Sequence, residues 1–337
     1  MPTLTPTHRS KLPRRLWCAG ALALPLMLPV AAQAQSADWP TRPVTFVNPF
    51  AAGSAVDVVA RLVAQKMAAN TGVAMNVDNR TGASGNIGTQ FGARAAADGH
   101  TLLLGSPGTM AINPFLFAKL PYDALKDFDP VTQITRYGYV LVVPPSLPVN
   151  SAADFVALAR RRPGEVSYGT SGAGGSNHLA GELFRLTAGI RLNAVPYKGS
   201  SPALTALLSG EITGMFDTLI TSIPLVKSGR LKALGVTLEK RSPALPAVPT
   251  LAESGVPGYR FDAWQSIVVP AGTPRAIVTK IHADTVKTLA LPDVREKLVD
   301  QGANELVGSS PEEFRRMIAT EIERYRKLIA AANVEVQ

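Results

Sequence analysis

The chain has 337 residues, and 34 Lys and Arg against 25 Asp and Glu give it a formal net charge of +9. The basic residues are spread out, with no block of five like charges and no basic run interleaved with aromatic residues, which argues against a nucleic-acid partner. A single cysteine excludes an intrachain disulfide and a cysteine-rich metal site. The length is ample for two domains that fold on hydrophobic burial alone.

The first 34 residues have the pattern of a secretory signal peptide. A basic stretch precedes an apolar run over about residues 16–30, and Ala32-Gln33-Ala34 follows as a small-x-small cleavage signal. The apolar run is too short, and too broken by two prolines, to span a membrane. Cleavage would leave 303 residues, remove Cys18 and lower the net charge to +5, because the leader carries four Lys and Arg and no acidic residue. We therefore expect an exported protein without thiols.

Apolar segments of strand length alternate with helical patterns through the rest of the chain. A helix is predicted over residues 55–69, and a final helix from Pro311 to about Ala331 repeats apolar residues at helical spacing. The predicted strands cover residues 44–47, 101–104, 140–143, 166–168 and 192–195. Alternation of this kind predicts an α/β fold with mainly parallel sheets.

One pattern, a strand followed by a glycine-containing loop and a helix, occurs in both halves of the chain. The loops are "NPFAAGS" from Asn48 and "GTSGAGGS" from Gly169. A helix N-terminus carries unpaired N–H groups and a partial positive charge, so it suits an anion. Two lobes that each present such a terminus would form a cleft.

The loop Gly169–Ser176 has several interpretations. A nucleotide-binding loop would need a lysine where Gly175 stands. A serine hydrolase elbow is approached by Gly169-Thr170-Ser171-Gly172-Ala173. None of the three histidines left after cleavage suits its base, because His178 is too close in sequence, His282 lies in the middle of a predicted helix and His100 lies in a turn. These scattered histidines also form no metal-binding cluster. The residues leave open a plain strand-to-helix turn, a seat in which glycines turn N–H groups towards an anion, and an esterase using Ser171.

The chain resembles the Bug or TctC family of periplasmic solute-binding proteins, the receptors of tripartite tricarboxylate transporters. The resemblance runs from Trp39 almost to the C-terminus. It rests on eight segments in order: "PFAAGSAVDVVARLVAQK", "NRTGASGNIG", "DGHTLLLGS", "YGTSGAGGSNHLAGELF", "VPYKGSSPALTALLSGEI", "MFDTLITSIPLVKSGRLKALGVT", "RSPALPAVPTLAESGVPG" and "PAGTP".

This resemblance implies a two-lobed type II periplasmic-binding-protein fold, with two Rossmann-like lobes joined by a double crossover hinge. Lobe 1 would hold residues 36–137 and 259–337, and lobe 2 residues 138–258. Such a protein closes on a small carboxylate and delivers it to the membrane permease subunits of its transporter. The resemblance further implies a periplasmic monomer that has no catalytic activity, cofactor or metal. A ligand sensor of the same fold stays an alternative.

A ligand site built from both lobes is also implied by the resemblance. The first lobe would contribute Phe50, Ala52, Gly53, Ser54, Ala55, Asp57 and Ser106. The second would contribute Thr170, Ser171, Gly172, Ala173, Gly175, Ser176 and His178, with Tyr197, Lys198 and Asp217 nearby. Four of these residues also have structural interpretations, namely a first-turn acid (Asp57), a helix-capping histidine (His178), a surface lysine (Lys198) and a hinge residue (Asp217). The family usually has two glycines followed by hydroxyl residues where this chain has Gly53-Ser54-Ala55-Val56, which suggests a less polar ligand.

Overall fold

The computed structural model describes residues 38–172, 174–300 and 302–334. The predicted signal peptide, with Cys18, and the predicted site residue Ala173 lie outside these ranges. Within them, no helix is both long enough and apolar enough to cross a bilayer.

Strands and helices alternate along most of the described chain. The strands are β1 (Val44–Asn48), β2 (Met75–Asn79), β3 (Thr101–Gly105), β4 (Phe128–Val143), β5 (Ser167–Thr170), β6 (Asn193–Pro196), β7 (Gly214–Thr218), β8 (Lys232–Val236), β9 (Asp262–Pro270) and β10 (Ala303–Leu306). The helices are α1 (Ala55–Thr71), α2 (Asn86–Ala93), α3 (Asn113–Leu116), α4 (Ala152–Arg161), α5 (Ser176–Ala188), α6 (Ser200–Leu208), α7 (Leu219–Lys227), α8 (Arg275–Leu289), α9 (Pro292–Asp300) and α10 (Pro311–Ala332). A 3₁₀ turn covers Ala83–Gly85, and a π-helical turn covers Gly108–Ile112.

The strands of the described residues form one sheet in the order β2-β1-β3-β9-β4-β7-β5-β6, with β8 and β10 also paired to β4. Two sets of three strands are parallel: β2, β1 and β3 in the first set, and β6, β5 and β7 in the second. The α/β prediction is therefore confirmed. The expectation of mainly parallel pairing was incomplete, because every pairing made by β4 or β9 is antiparallel.

Strand β4 joins the two parallel sets. Its residues Phe128–Gly138 pair with β9, whereas Tyr139–Val142 pair with β7. The change of partner falls between Gly138 and Tyr139. Gly138, the last residue of β4 that pairs with β9, lies opposite Asp262, the first residue of β9. Two strands, β4 and β9, therefore run side by side where the sheet passes from one parallel set to the other.

The C-terminal helix α10 packs on hydrophobic clusters in both parts of the sheet. Phe314 and Ile318 pack in one cluster with Trp264 of β9. Two and three turns after Ile318, Tyr325 and Ile329 pack in another cluster with side chains of α5, which follows β5. The helix begins at the predicted capping box, in which Ser310 and Glu313 exchange hydrogen bonds between side chain and backbone.

Parallel strands of each set end at a common edge of the sheet. The first edge carries the loop after β1 and Ser106 after β3, and the second carries the loops after β5, β6 and β7. In open α/β sheets the crevice at the carboxyl ends of the strands is where ligands bind. Nearly all of the site residues expected from the sequence follow such strand ends.

Candidate functional site

Three helices begin at the carboxyl edge of the second parallel set. Helices α5 and α6 begin at Ser176 and Ser200, a few residues after β5 and β6 end, and α7 begins at Leu219, directly after β7. None of the three carries an acidic residue in its first turn. Each helix N-terminus contributes first-turn N–H groups without intrahelical partners and a partial positive charge of about half an electron. This edge therefore favours an anion.

The glycine loop that leads into α5 is folded back on itself. Gly172 and Gly174 have φ angles of 136° and 73°, which side chains with a Cβ rarely adopt. The Thr170 hydroxyl donates to the Gly172 carbonyl at 3.2 Å, and the Gly175 N–H donates to the same carbonyl at 3.4 Å. These contacts fix a tight loop directly ahead of the helix N-terminus.

Asn177 holds the start of this loop, at Ser171. Its side-chain oxygen accepts a hydrogen bond from the Ser171 hydroxyl at 2.8 Å and lies 3.3 Å from the Ser171 backbone nitrogen. Asn177 is buried. The Ser171 hydroxyl therefore donates to an amide oxygen, which is not a general base, and this geometry differs from the nucleophile–base pair of a serine hydrolase. The sequence reasoning missed Asn177, although its place at the start of α5 could have marked it.

His178 holds the end of the loop that leads into α5. Its Nδ1 accepts a hydrogen bond from the Gly174 N–H at 2.8 Å, which places the proton of the neutral ring on Nε2. Burial lowers the pKa of His178, against the opposing effect of nearby Glu182. The ring also stacks on Tyr168, with centroids 6.3 Å apart. The structure thus gives this side chain a capping contact with the loop backbone.

Glu182, one turn after His178, anchors α5 to the sheet. One carboxylate oxygen accepts the Tyr168 hydroxyl at 2.8 Å, and the other accepts Arg185 Nε at 2.8 Å. His178 Nε2 lies 3.9 Å from the same carboxylate. Glu182 was also missed, although a histidine and a glutamate four residues apart share one helix face.

The remaining predicted residues of this edge differ in exposure. Asp217 is buried, and its Oδ2 accepts the hydroxyls of Thr221 and Ser222 at 2.6 and 2.7 Å, while burial raises its pKa. Its Oδ1 has no partner among the described residues. The Tyr197 hydroxyl donates to Glu211 at 2.9 Å, and Lys198 is exposed. Asp217 therefore ties the end of β7 to the first turns of α7.

At the first edge, Asp57 organises the loop after β1. Its carboxylate accepts the Gly53 N–H and Arg61 Nε, each at 2.9 Å, and Asn79 Nδ2 at 2.8 Å. Burial acts to raise the pKa of Asp57, but the hydrogen bonds from Arg61, Gly53 and Asn79 outweigh it and lower the pKa to about 2. The ionised carboxylate of Asp57 thus already lies at the N-terminus of α1.

The other predicted residues of this loop are partly open. Ser54 caps α1, and its hydroxyl accepts the Asp57 N–H at 3.3 Å. Phe50 donates its N–H to Asn48 Oδ1 at 3.1 Å and is half-buried, while Ala52 is exposed. Ala55 begins α1. No hydrogen bond or ion pair joins this loop to the glycine loop among the residues that the structure describes.

Ser106, after β3, is buried, and its hydroxyl has no hydrogen-bond partner among the described residues. The chain continues from Ser106 through the π-helical turn to α3, whose Leu116 lies against Gly174 of the glycine loop. The structure thus brings the segment that begins at Ser106 next to the second edge. This approach between residues 58 apart in sequence could not be read from the local pattern.

Beside Ser106 lies a buried polar network that sequence reasoning also missed. The Asn86 side-chain oxygen accepts Asn113 Nδ2 at 2.7 Å and the Tyr122 hydroxyl at 3.1 Å. The turn before it holds Ala83 and Ser84 at φ angles of 45° and 54°. Two successive residues in the left-handed region store strain that the network holds in place. Within the described ranges, no three His, Cys, Asp or Glu side chains are placed to hold a metal ion.

Comparison with known proteins identifies the family. Residues 59–334 match the family described as the tripartite tricarboxylate transporter family receptor. The chain is 34% identical over 309 residues to the protein BugT of Bordetella pertussis, covering 91% of this chain and 94% of BugT. The recognition made from the sequence segments is therefore confirmed.

Two solved structures are similar to the chain over most of its length. Rpa4515 of R. palustris with adipate has 41% identity and a TM-score of 0.84, over 89% of this chain and all of the other. MatC from Rhodopseudomonas palustris with bound malate has 33% identity and a TM-score of 0.78, over 86% of this chain and 99% of the other. The chain is also 32% identical to the periplasmic binding protein BugD, with a TM-score of 0.80 over 89% of this chain and all of the other, and the predicted periplasmic-binding-protein fold class is confirmed.

Proposed function

This chain belongs to the tripartite tricarboxylate transporter family of receptors, and from that membership we propose that it captures a small organic carboxylate and delivers it to a transporter. The observation that carries the proposal is the second edge, where the first turns of α5, α6 and α7 hold no acidic residue and a folded glycine loop leads into α5. Similar proteins carry adipate and malate. Both are carboxylates, the chemistry that this edge suits.

The carboxylate binds at the N-terminus of α5. Backbone N–H groups of the loop and first turn, together with hydroxyls, donate charge-assisted hydrogen bonds to it. The proposed contacts on this side are Thr170, Ser171, Gly172, Ala173, Gly175 and Ser176, with Tyr197, Lys198 and Asp217 at the margin. His178 acts on the ligand indirectly, because it accepts a hydrogen bond from the Gly174 N–H and so holds the loop in place.

The opposite wall of the cleft is less favourable to an anion. Asp57 places a carboxylate beneath the N-terminus of α1, and a second anion close to it would be repelled. The exposed Ala52 and Gly53, the half-buried Phe50 and Ser54, and the unpartnered hydroxyl of Ser106 would face the rest of the ligand, with Ala55 as a further proposed contact. The carboxylate at one end of the ligand therefore makes most of the charge-assisted contacts.

Capture is coupled to closure of two lobes. We place lobe 1 at residues 36–137 and 259–337 and lobe 2 at residues 138–258. The change of strand partners between Gly138 and Tyr139 supports the first boundary, and β9 begins close to the second. A ligand that contacts both lobes stabilises the closed state by its extra contacts there.

The protein acts in the periplasm, after a leader of residues 1–34 is removed, as a monomer that docks on membrane permease subunits. We take it to be a receptor, and the Ser171 hydroxyl, which donates to Asn177 and not to a base, argues against the esterase alternative. A sensor of the same fold would bind the same ligand, but deletion of its gene would leave uptake unchanged. Loss of uptake on deletion is the result expected for a receptor.

The test of binding is a thermal-shift screen of the mature protein after unfolding and refolding to remove co-purified ligand. The panel consists of adipate, malate, citrate, glutamate and benzoate. A ligand at 100 times its Kd adds about 2.7 kcal/mol to the free energy of unfolding, which raises Tm by roughly 4 °C or more for a protein of this size. A shift with at least one acid is expected, and no shift with any of the five would contradict the proposal.

A further inference from the structure

Tyr168, in β5, lies against the first turns of α5 and directly precedes the glycine loop. Its side chain is fully buried, and its ring stacks on the His178 ring, with centroids 6.3 Å apart and an interplanar angle of 29°. Gly181 allows this contact, because a methyl group at Gly181 would overlap the Tyr168 ring. One aromatic side chain thus packs against both α5 and the histidine that holds the loop.

The hydroxyl of Tyr168 is fixed by a buried carboxylate. It donates to Glu182 Oε1 at 2.8 Å, and Glu182 Oε2 accepts Arg185 Nε at 2.8 Å. Arg185 Nη2 in turn donates to the Ala332 carbonyl oxygen, near the end of α10, at 3.4 Å. Hydrogen bonds to an ionised group are stronger than those between neutral groups. Glu182, itself held by Arg185, therefore keeps the Tyr168 ring in one orientation.

The orientation of His178 depends on its contact with Tyr168. His178 Nδ1 accepts the Gly174 N–H at 2.8 Å, and such a bond weakens steeply when its angle departs from linearity. His178 Nε2 lies 3.9 Å from Glu182 Oε1, which is too far for a hydrogen bond. Glu182 therefore acts on the imidazole through the stacked Tyr168 ring, which limits rotation of the imidazole away from Gly174.

Resting on the proposed function, we propose that Tyr168 is a positioning residue for the bound carboxylate. Glu182 holds its hydroxyl, its ring holds the His178 imidazole, and His178 holds the loop at Gly174. The two residues that follow Gly174 are proposed contacts of the anion at the N-terminus of α5. The direction of their N–H groups is thus set before the ligand binds. Such pre-organisation raises affinity, because less of the binding energy is lost in ordering the loop.

Removal of one hydroxyl tests this role. Tyr168→Phe deletes the oxygen that Glu182 holds and keeps the ring. Tyr259→Phe is the matched control, because Tyr259 is also buried and its hydroxyl also donates to α5, at the Ala180 carbonyl oxygen, 2.9 Å away. Each refolded variant is titrated calorimetrically with adipate, malate, citrate, glutamate and benzoate, and its unfolding in denaturant is measured in parallel.

Both substitutions should lower the free energy of unfolding, because each removes a buried hydrogen bond to α5. For the acids that bind the unsubstituted protein, Tyr168→Phe should raise Kd about tenfold, whereas Tyr259→Phe should leave it within about twofold. An unchanged Kd in a folded Tyr168→Phe variant, or an equal rise in both variants, overturns the inference and leaves the proposed function intact. Binding of none of the five acids by the unsubstituted protein overturns the proposed function, and this inference with it.

A double-mutant cycle with His178→Asn separates positioning from a general loosening of α5. Without the imidazole there is no ring for Tyr168 to orient, so Tyr168→Phe should add little further loss of affinity in that background. If the two substitutions weaken binding additively, Tyr168 acts independently of His178 and the proposed role is refuted.

Two substitutions of Glu182 test the other end of the contact. Glu182→Leu removes the acceptor of the Tyr168 hydroxyl and should raise Kd about tenfold. Glu182→Gln keeps an oxygen that can accept this hydroxyl, so it should retain most of the affinity that Glu182→Leu loses. Equal Kd values for the two folded variants would contradict a role for this hydrogen bond in holding the loop.

Discussion

Leu116 of α3 lies against Gly174 of the glycine loop so closely that a methyl group on Gly174 would overlap Leu116 Cδ1. Leu116 belongs to the segment that follows Ser106, and Gly174 belongs to the loop ahead of α5. The contact therefore brings the two predicted sides of the site next to each other in this structure. A glycine is required here both for its φ of 73° and for the space.

Gly174→Ala should act as a wedge at this contact. We expect weaker binding of carboxylates and lower stability, because the new methyl group must displace Leu116. Gly189→Ala is the matched control, since Gly189 has a φ of 60° but open space where its Cβ would stand. The control isolates the backbone strain of roughly 1–2 kcal/mol. The Kd is measured by calorimetric titration, and the free energy of unfolding by denaturant, for both variants. Equal affinities of Gly174→Ala and Gly189→Ala for the carboxylate would argue against the wedge.

Gly175→Leu should abolish carboxylate binding without unfolding the protein. Gly175 has an ordinary φ of −60°, so a side chain is tolerated by the backbone. Its Cβ would stand 3.2 Å from Ser171 Oγ and 3.3 Å from Asn177 Oδ1, beside the proposed contacts. We expect at least a 100-fold rise in Kd, or about 2.7 kcal/mol, with an unchanged circular dichroism spectrum. An affinity equal to that of the unsubstituted protein would refute the placement of the anion.

Binding should weaken in mild acid through His178. Its pKa is lowered by burial, so the neutral ring is favoured in the folded state. The contribution of His178 to the stability of the folded state is complete above its pKa in the unfolded chain, about 6.5. It is lost as the pH falls through the lowered pKa of His178 in the folded state. A protonated Nδ1 cannot accept the Gly174 N–H, and the loop loses that contact.

The measurement is Kd as a function of pH for the unsubstituted protein and for His178→Asn, whose side chain does not titrate. Protonation of the ligand affects both proteins equally, so the difference isolates the histidine. We expect the unsubstituted protein to lose more affinity than the variant as the pH falls through the lowered pKa of His178. Parallel pH profiles would contradict a role for the ring in holding the loop.

Asp57→Asn should destabilise the folded protein in a pH-dependent way. The pKa of Asp57 is lowered from 3.8 to about 2 in the folded state, so its contribution is complete above pH 4 and is lost as the pH falls through 2. A shift of this size corresponds to on the order of 2 kcal/mol at pH 7. Denaturant unfolding at pH 7, 4 and 2 should show a difference that disappears at the lowest pH.

Asp78→Asn is the control for that series. Asp78 pairs with Arg80 at 2.7 Å, and both side chains are well exposed, so its loss should cost about 0–1 kcal/mol. If Asp57→Asn proved no more destabilising than Asp78→Asn, the hydrogen bonds around Asp57 would not organise the loop as we infer.

Local patterns in the sequence predicted the elements whose signals lie within a few residues. Ser310 and Glu313 marked the start of α10, and the apolar spacing after them gave its length to within one residue. Of the 16 residues of β4, only 140–143 were predicted. The missed part holds Thr132 and Gln133, whose partner Ser309 lies in a distant segment. A buried polar strand carries no apolar run to detect.

The candidate site was predictable in its location more than in its contacts. The glycine loop is a local pattern, and the resemblance supplied the residues around it. The contacts that hold it were not foreseen, since Leu116 reaches Gly174 across 58 positions of the sequence. Asp57 and His178 make contacts within their own loop and helix, and their part in ligand binding stays a prediction.

The most direct test of the central claim is a crystal structure of the refolded protein with the tightest-binding acid of the panel. The account predicts a carboxylate at the N-terminus of α5, with its oxygens about 2.7–3.0 Å from first-turn N–H groups and the Ser176 hydroxyl. A ligand whose carboxylate lies at α1, beside Asp57, or outside the edge formed by β5, β6 and β7 would contradict it.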